Sequence, residues 1–348
     1  MPTARDILAA IEREEPGIAR AFSAWVAELV DPDVSVAALT RAVESGDANA
    51  IAVALGIDAA SLAVLVDAVY RAFTAGGDYQ VREIPPLRAP GRFSALRVRF
   101  DVRNLRAEAW LREHSARLIV EILQEQRAVI RTLLNEGTML GRNPRATALE
   151  LVGRVDVTGR RSGGVIGLTE QQAGYVVAAR RELASGDPDQ LRHYLTRQRR
   201  DRRFDAAVQR AIAAERPVPP AQRARMTARY SDRLLQYRGE TIARTEALTA
   251  FNAARDEAMR QALEQTGRRP DAATKVWQSA ADARVRETHR SMNGQRVDMA
   301  APFRSPSGAH LMFPGDTSLG AGGSEVIGCR CIAQYKIDHL RRPRRGRG

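Results

Sequence analysis

Cysteine occurs only twice in the 348 residues, at Cys329 and Cys331. That excludes a disulfide scaffold and suits a reducing compartment. Lysine is as scarce: all but Lys275 and Lys336 of the 54 basic residues are arginine, the bias expected of codon usage in a GC-rich genome. Aromatic residues make up 5% of the chain, too few for base-stacking platforms. Any nucleic-acid binding is therefore expected to run through phosphates and to weaken with salt. No apolar run is clean enough to span a membrane. The most apolar stretch, residues 51–69, is interrupted by Asp58, Ser61 and Asp67 and reads as buried helices. The N-terminal "MPTARDILAAIEREEPGIAR" has neither the apolar core nor the cleavage site of a signal peptide. The expectation is a soluble protein made in the cytoplasm. A P-loop, a G-x-G-x-x-G after a strand, H-E-x-x-H, an EF-hand loop and G-x-S-x-G are all absent, so the usual enzymatic cues are missing.

What is present is positive charge. The net value is +13, which favours a polyanionic partner or surface. From Asp271 onward 13 basic residues face 7 acidic ones, and the final "RRPRRGRG" holds five arginines and no acid. With no apolar content, that tail is expected to be disordered. Arg341, Arg342, Arg344, Arg345 and Arg347 are its candidate phosphate contacts. A second basic cluster, "RQRRDRR" at 197–203, is expected on a helix, either as a solvated face or as a contact with nucleic acid or an acidic partner.

The hydrophobic spacing predicts a mainly α protein, with multi-helix N-terminal and middle regions followed by a small α+β C-terminal unit. Residues 1–75 read as an N-terminal helical region. Residues 76–93, within the Gly- and Pro-rich stretch 73–93, read as a linker. Residues 94–268 form the helical middle region. Helices are expected over 104–141, after Asn143-Pro144, between Thr169 and Gly186, through 186–215, and as one or two long helices ending at Gly267. Residues 269–336 form the α+β unit, opening with a helix over 271–292, and 337–348 are the basic tail.

Within "EVIGCRCIAQY" the flanking residues suggest a strand. There, Cys329 and Cys331 point to one face about 6.5–7 Å apart at Cα, too far for an unstrained bridge. Three readings stay open: two small buried residues, half of a metal site, or a redox pair.

Four pieces gain meaning in order. They are "IARTEALTAFNAA" (Arg244, Thr245, Glu246, Asn252), "VWQSAADARVRETHRSMNGQ" (Trp277, Asp282, Arg284, Arg286, His289, Gly294), "PF" with "LMFPGD" (Pro302, Phe303, Leu311, Pro314, Gly315, Asp316), and "CRC" (Cys329, Arg330, Cys331). Together they resemble the phage Mu F-like head morphogenesis family, the minor capsid proteins of tailed phages. The resemblance is most specific over about residues 240–335 and weaker from "WLREHSARLIVEILQEQ" through "LLNEGTMLGRNP". The family usually has Asn immediately before Cys-Arg-Cys; this chain has Gly328.

The resemblance implies a virion protein of few copies, not an enzyme. It would reside in the head after assembly in the host cytoplasm, with portal and other head proteins as partners and no membrane. Contact with packaged double-stranded DNA is expected through phosphates. In residue terms, the expected 271–292 helix puts Asp282 and His289 on one face, pairs Asp282 with Arg286, and uses Trp277 as a core residue. Arg330 is expected to bind Asp282 or Asp316. No cofactor is required, although zinc is possible on His289, Cys329 and Cys331 with His310 or Asp316. Two alternatives remain. One is a metal-dependent hydrolase or nuclease on a helical adaptor, with His289 as base, Asp282 orienting it, and Cys329 or a metal-bound water attacking. The other is a cytoplasmic nucleic-acid-binding protein without a capsid partner.

Overall fold

The computed structural model describes residues 3–88, 95–156 and 159–338. The five tail arginines lie outside this range. The fold is mainly α, with small antiparallel strands that gather toward the C-terminus. Helices start where the sequence supplies caps. α1 (Ala4–Glu12) opens on a reciprocal Thr3–Asp6 capping box. α2 (Glu15–Leu29), α3 (Val36–Glu44), α4 (Ala48–Ala54) and α5 (Ala63–Glu83) follow, then α6 (Leu105–Met139). α7 (Pro144–Val152) is capped by Asn143 with proline in its first turn. α8 (Glu170–Ser185) runs from a Thr169–Gln172 capping box to a left-handed Gly186. The remaining helices are α9 (Pro188–Thr196), α10 (Asp205–Ala213), α11 (Pro220–Gln265), α12 (Glu287–Ser291) and α13 (Gly323–Val326). The strands are β1 (Leu87–Arg88), β2 (Ala95–Leu96), β3 (Arg154–Val155), β4 (Arg161–Ser162), β5 (Ala273–Ser279), β6 (Arg296–Asp298), β7 (Phe303–Arg304), β8 (His310–Leu311) and β9 (Cys331–Ile337). No helix among the described residues is long and apolar enough to cross a membrane.

The chain forms two compact units from interleaved segments, a grouping different from the expected succession of regions. One unit comprises residues 1–20, 65–115 and 240–348. Its sheet has the order β6-β5-β9, antiparallel throughout, with Val276 opposite Gln334 and Lys275 opposite Val297. α1 packs against β9. The expected linker is corrected here, because α5 stays helical through Glu83. Its Gly76-Gly77 pair serves close packing rather than flexibility. A Cβ at Gly76 would lie 2.4 Å from the Phe251 carbonyl oxygen, and one at Gly77 would lie 2.2 Å from the Phe100 ring. The expected 271–292 helix is also overturned. Its first part is β5, with alternation weak in sequence but paired on both edges, and its last part is the five-residue α12. Pairing with a strand some 60 residues later overrides the helix preference of the alanines. Between the two elements Ala281 is left-handed (φ 55°), and Asp282 Oδ1 accepts the N–H of Arg284 in a local turn.

The other unit comprises residues 21–64 and 116–239. Phe22, Trp25, Leu39, Ile130, Leu151, Val176 and Leu183 are among its core residues. Polar side chains inside it tie down the glycine-rich loop at 163–168. Gln126 accepts from Gly167 N (2.8 Å) and donates to Leu168 O (3.1 Å), and Arg238 Nη1 donates to Gly167 O (2.9 Å). Burial pushes Arg238 down to about 10. Gly167 (φ 88°) has room for no side chain there, since a Cβ would stand 2.7 Å from both Leu235 and Val26.

The expected helix over 186–215 is two helices, α9 and α10, with "RQRRDRR" in the turn between them. Asp201 forces that break by capping a short 3₁₀ turn at residues 202–204. The cluster is largely neutralised from within. Arg197 pairs with the buried Glu182 (2.8 and 2.5 Å), Arg200 with Asp205 (2.9 and 2.9 Å) and Arg203 with the buried Asp201 (3.0 and 2.6 Å). Arg199 lies over the Tyr237 ring. The hydrogen bonds from Arg203 hold the Asp201 carboxyl at about 2, below its ordinary 3.8. A carboxylate whose folded-state pKa is depressed contributes stability above its unfolded-state pKa, and that stability is lost as pH falls through the folded value. Asp201→Asn should therefore destabilise the protein near neutrality. The difference from the wild type, read from urea unfolding midpoints, should close between about pH 4 and pH 2.

Candidate functional site

The C-terminal half of α11 faces the sheet and its loops with polar side chains where an apolar stripe would be ordinary. Thr245 Oγ1 accepts the N–H of Gly328 (3.0 Å). One turn on, Thr249 Oγ1 donates to Gly315 O (3.3 Å). Asn252, fully buried, divides its amide between Pro314 O (3.2 Å) and Cys331 O (3.3 Å). Arg255 donates to Ala333 O (2.8 Å) and to Gln80 Oε1 (3.1 Å). Asp256 accepts from Tyr335 Oη (3.3 Å) and Arg260 Nε (2.8 Å), and lies 3.6 Å from Lys275 Nζ. Lys275, one of the chain's two lysines, is fully buried and donates to Met312 O (2.6 Å). Burial pushes the Lys275 ammonium and the Arg255 guanidinium down, and pushes the Tyr335 phenol up.

Beyond this seam lies the cysteine pair. The expected strand begins only at Cys331; "EVI" belongs to α13 and the turn after it. Gly328 is left-handed at φ 62°, and Cys329 closes the turn after α13, its N–H donating to Val326 O (3.1 Å). A Cβ there would meet nothing within 4 Å. Gly and Asn are the residues that reach this conformation most readily. Both thiols converge on one ring nitrogen: His289 Nδ1 lies 3.4 Å from Cys329 Sγ and 3.5 Å from Cys331 Sγ. His289, Cys329 and Cys331 are 1–2% exposed. The other ring nitrogen, Nε2, is 2.7 Å from Glu325 Oε2. Trp277 stands edge-on to the imidazole, ring centroids 5.1 Å apart, and edge-on to Phe303 at 5.2 Å. A hydrogen bond from Cys331 and the adjacent His289 outweigh burial and bring the Cys329 thiol below its ordinary value. Cys331, donor in that bond and buried beside the resulting charge, is pushed up. Burial would lower His289, but Cys329 and Glu325 raise it above its ordinary value.

The other motif residues hold backbone in place. Arg330 pairs with Asp282 (3.0 Å), one of its two expected partners. Asp282 consequently neither orients His289 nor pairs with Arg286; the carboxylate on His289 is Glu325. Arg286 instead donates to the carbonyls of Glu325 (2.6 Å) and Ile327 (2.7 Å). Asp316 caps its own loop through Met312 N (2.7 Å) and Ser318 N (2.8 Å). His310 is exposed on β8, and neither it nor Asp316 belongs to the group around the cysteines. Gly294 (φ 84°) turns the chain into β6 and donates to Trp277 O (2.8 Å). Glu246 contacts His114 (2.6 Å). Arg244 approaches Glu15 at 3.9 Å, and Arg284 is exposed.

Sequence reasoning missed Glu325, Lys275, Thr249, Arg255 and Asp256. Glu325 carried a signal, a lone acid in the otherwise uncharged run from Thr317 to Cys329. Thr245, Thr249, Asn252 and Asp256 carried another: polar residues at helical spacing among alanines and leucines. If the seam holds the sheet, Asn252→Leu strands two buried carbonyls. It should cost about 2–6 kcal/mol, at roughly 1–3 kcal/mol per unsatisfied group, measured by urea unfolding. Changing the exposed Arg284→Ala should leave the midpoint unmoved.

No curated protein and no solved structure gives a match. The family model described as "Phage Mu protein F like protein" matches residues 128–334, more than half of the chain. The matched segment includes every motif residue from Arg244 to Cys331, together with the seam of α11 and the His289 cluster. The chain is thus a member of the phage Mu protein F like family, a phage head-related family.

Proposed function

We infer that this protein is a minor head protein of a tailed phage, a structural component at the portal vertex that touches packaged DNA through arginine. Family membership carries the reading. The family is one of head morphogenesis, which is compatible with a protein that is not an enzyme. Burial of the His289 cluster supports the same view over a hydrolase, because 1–2% exposure leaves a substrate little to meet.

Charge supports the DNA contact but redistributes it. The 197–203 arginines are largely paired with acids of their own unit and have less to offer phosphates than their number suggests. The C-terminal arginines 341, 342, 344, 345 and 347 have no acidic residue after Asp338 in sequence. They are the better candidates.

Quantitative peptide mass spectrometry of purified particles tests the first point. DNA-filled heads should contain the protein at low copy relative to the major capsid protein. Its absence from heads and procapsids, despite expression in the lysate, would overturn the reading. Truncation after His339 tests the second. It should weaken duplex binding and flatten the slope of log K against log salt by up to about 4–5, at roughly 0.9 per lost phosphate contact. An unchanged slope would remove the tail from the interface.

A further inference from the structure

We propose that His289 Nδ1, Cys329 Sγ and Cys331 Sγ bind a zinc ion that fastens the 323–331 segment to β5 and α12. The proposal is independent of the virion reading and rests on the valence of one nitrogen. Glu325, 2.7 Å from Nε2, is an acceptor when ionised, so Nε2 carries a hydrogen. In the neutral ring Nδ1 then offers a single lone pair. Two sulfurs nevertheless lie 3.4 and 3.5 Å from it. One lone pair, or one hydrogen in the imidazolium, serves one sulfur at a time and leaves the second thiol to hydrogen-bond its neighbouring sulfur. A metal ion on that lone pair can bind both.

The distances fit such an ion. Zinc–sulfur bonds of about 2.3 Å and a zinc–nitrogen bond of about 2.0–2.1 Å, at tetrahedral angles, separate sulfur from nitrogen by roughly 3.6 Å. The three ligand atoms lie within 4.8 Å of one another. Two surrounding groups fit as well. The Glu325–His289 contact is the carboxylate–histidine pair that orients metal-binding imidazoles. The Trp277 indole N–H is fully buried beside Cys331 and favours the charged form of that thiol. A metal-bound thiolate would give that N–H an acceptor.

The one-residue spacing of the cysteines is short for a zinc motif, which usually has about two to four intervening residues. The backbone accounts for it. Cys329 follows directly on the left-handed Gly328 and closes its turn, while Cys331 begins a strand, and the two sulfurs converge on His289 Nδ1 from these positions. On binding, each thiol gives up its proton to solvent and becomes a thiolate ligand; no oxidation is involved.

The test uses the full-length protein, stripped of metal by chelator under reducing conditions and titrated with Co(II), with elemental analysis of the protein as purified. The expected result is one zinc per chain. One equivalent of Co(II) should also give a sulfur-to-cobalt charge-transfer band in the near ultraviolet, with intense tetrahedral d–d bands. Cys331→Ser and His289→Gln should lose these features. Should either fail to fold, Glu325→Gln keeps all three ligands. It should show the same spectrum with affinity weakened about 10–100-fold. Folded, helical wild-type protein that contains no zinc and gives no charge-transfer band with Co(II) would overturn the proposal.

Discussion

A side chain that hydrogen-bonds the backbone of another element fixes that element's depth and register, which apolar contact alone does not. The unit holding the C-terminal sheet depends on such bonds from α11. Asn252 is central because its single amide reaches two segments at once, the Pro314 turn and the first residue of β9. Arg255 repeats the device at Ala333. The strands on which they act are short, and the long loops between them bring little apolar area of their own. Backbone groups that strand pairing leaves over are satisfied by the helix instead, as burial requires. The cluster at His289 stands on this arrangement, since Cys331 is held by the same amide that holds Pro314.

Much of the helical part was legible in the sequence, for local reasons. Thr169, Asn143-Pro144 and Gly186 mark ends through chemistry within a few residues of themselves. The errors arose where distant pairing decided the outcome. "ATKVWQS" is a strand because β6 and β9 flank it, and nothing in its own seven residues outweighed the neighbouring alanines. The glycine pair in α5 looked like a linker because composition cannot distinguish a glycine that permits motion from one that permits contact. At the candidate site, the motif residues were visible as a group. Their partners were not: Asp282 looked like the companion of His289 by helical spacing, and that spacing vanished with the helix.

The arginine content illustrates a related limit. Net charge counts residues, whereas a surface potential counts those not already paired. Glu182, Asp201 and Asp205 absorb three arginines of the most basic internal segment, two of these acids being buried. That segment resembles a binding patch in one dimension and an internal brace in three. Lys275 makes the same point more sharply, as one of two lysines and fully inside the protein.

The position of β9 also bears on how the protein is made. β5 pairs along its full length with β9, and α1, near the start of the chain, packs on that same strand. Neither can reach its final neighbour until the ribosome has passed Ile337. The unit that contains α1 and β9 therefore closes late, after synthesis of the intervening residues, and a chain interrupted before β9 leaves β5 with an open edge. Completion of this unit thus reports that translation has run through β9.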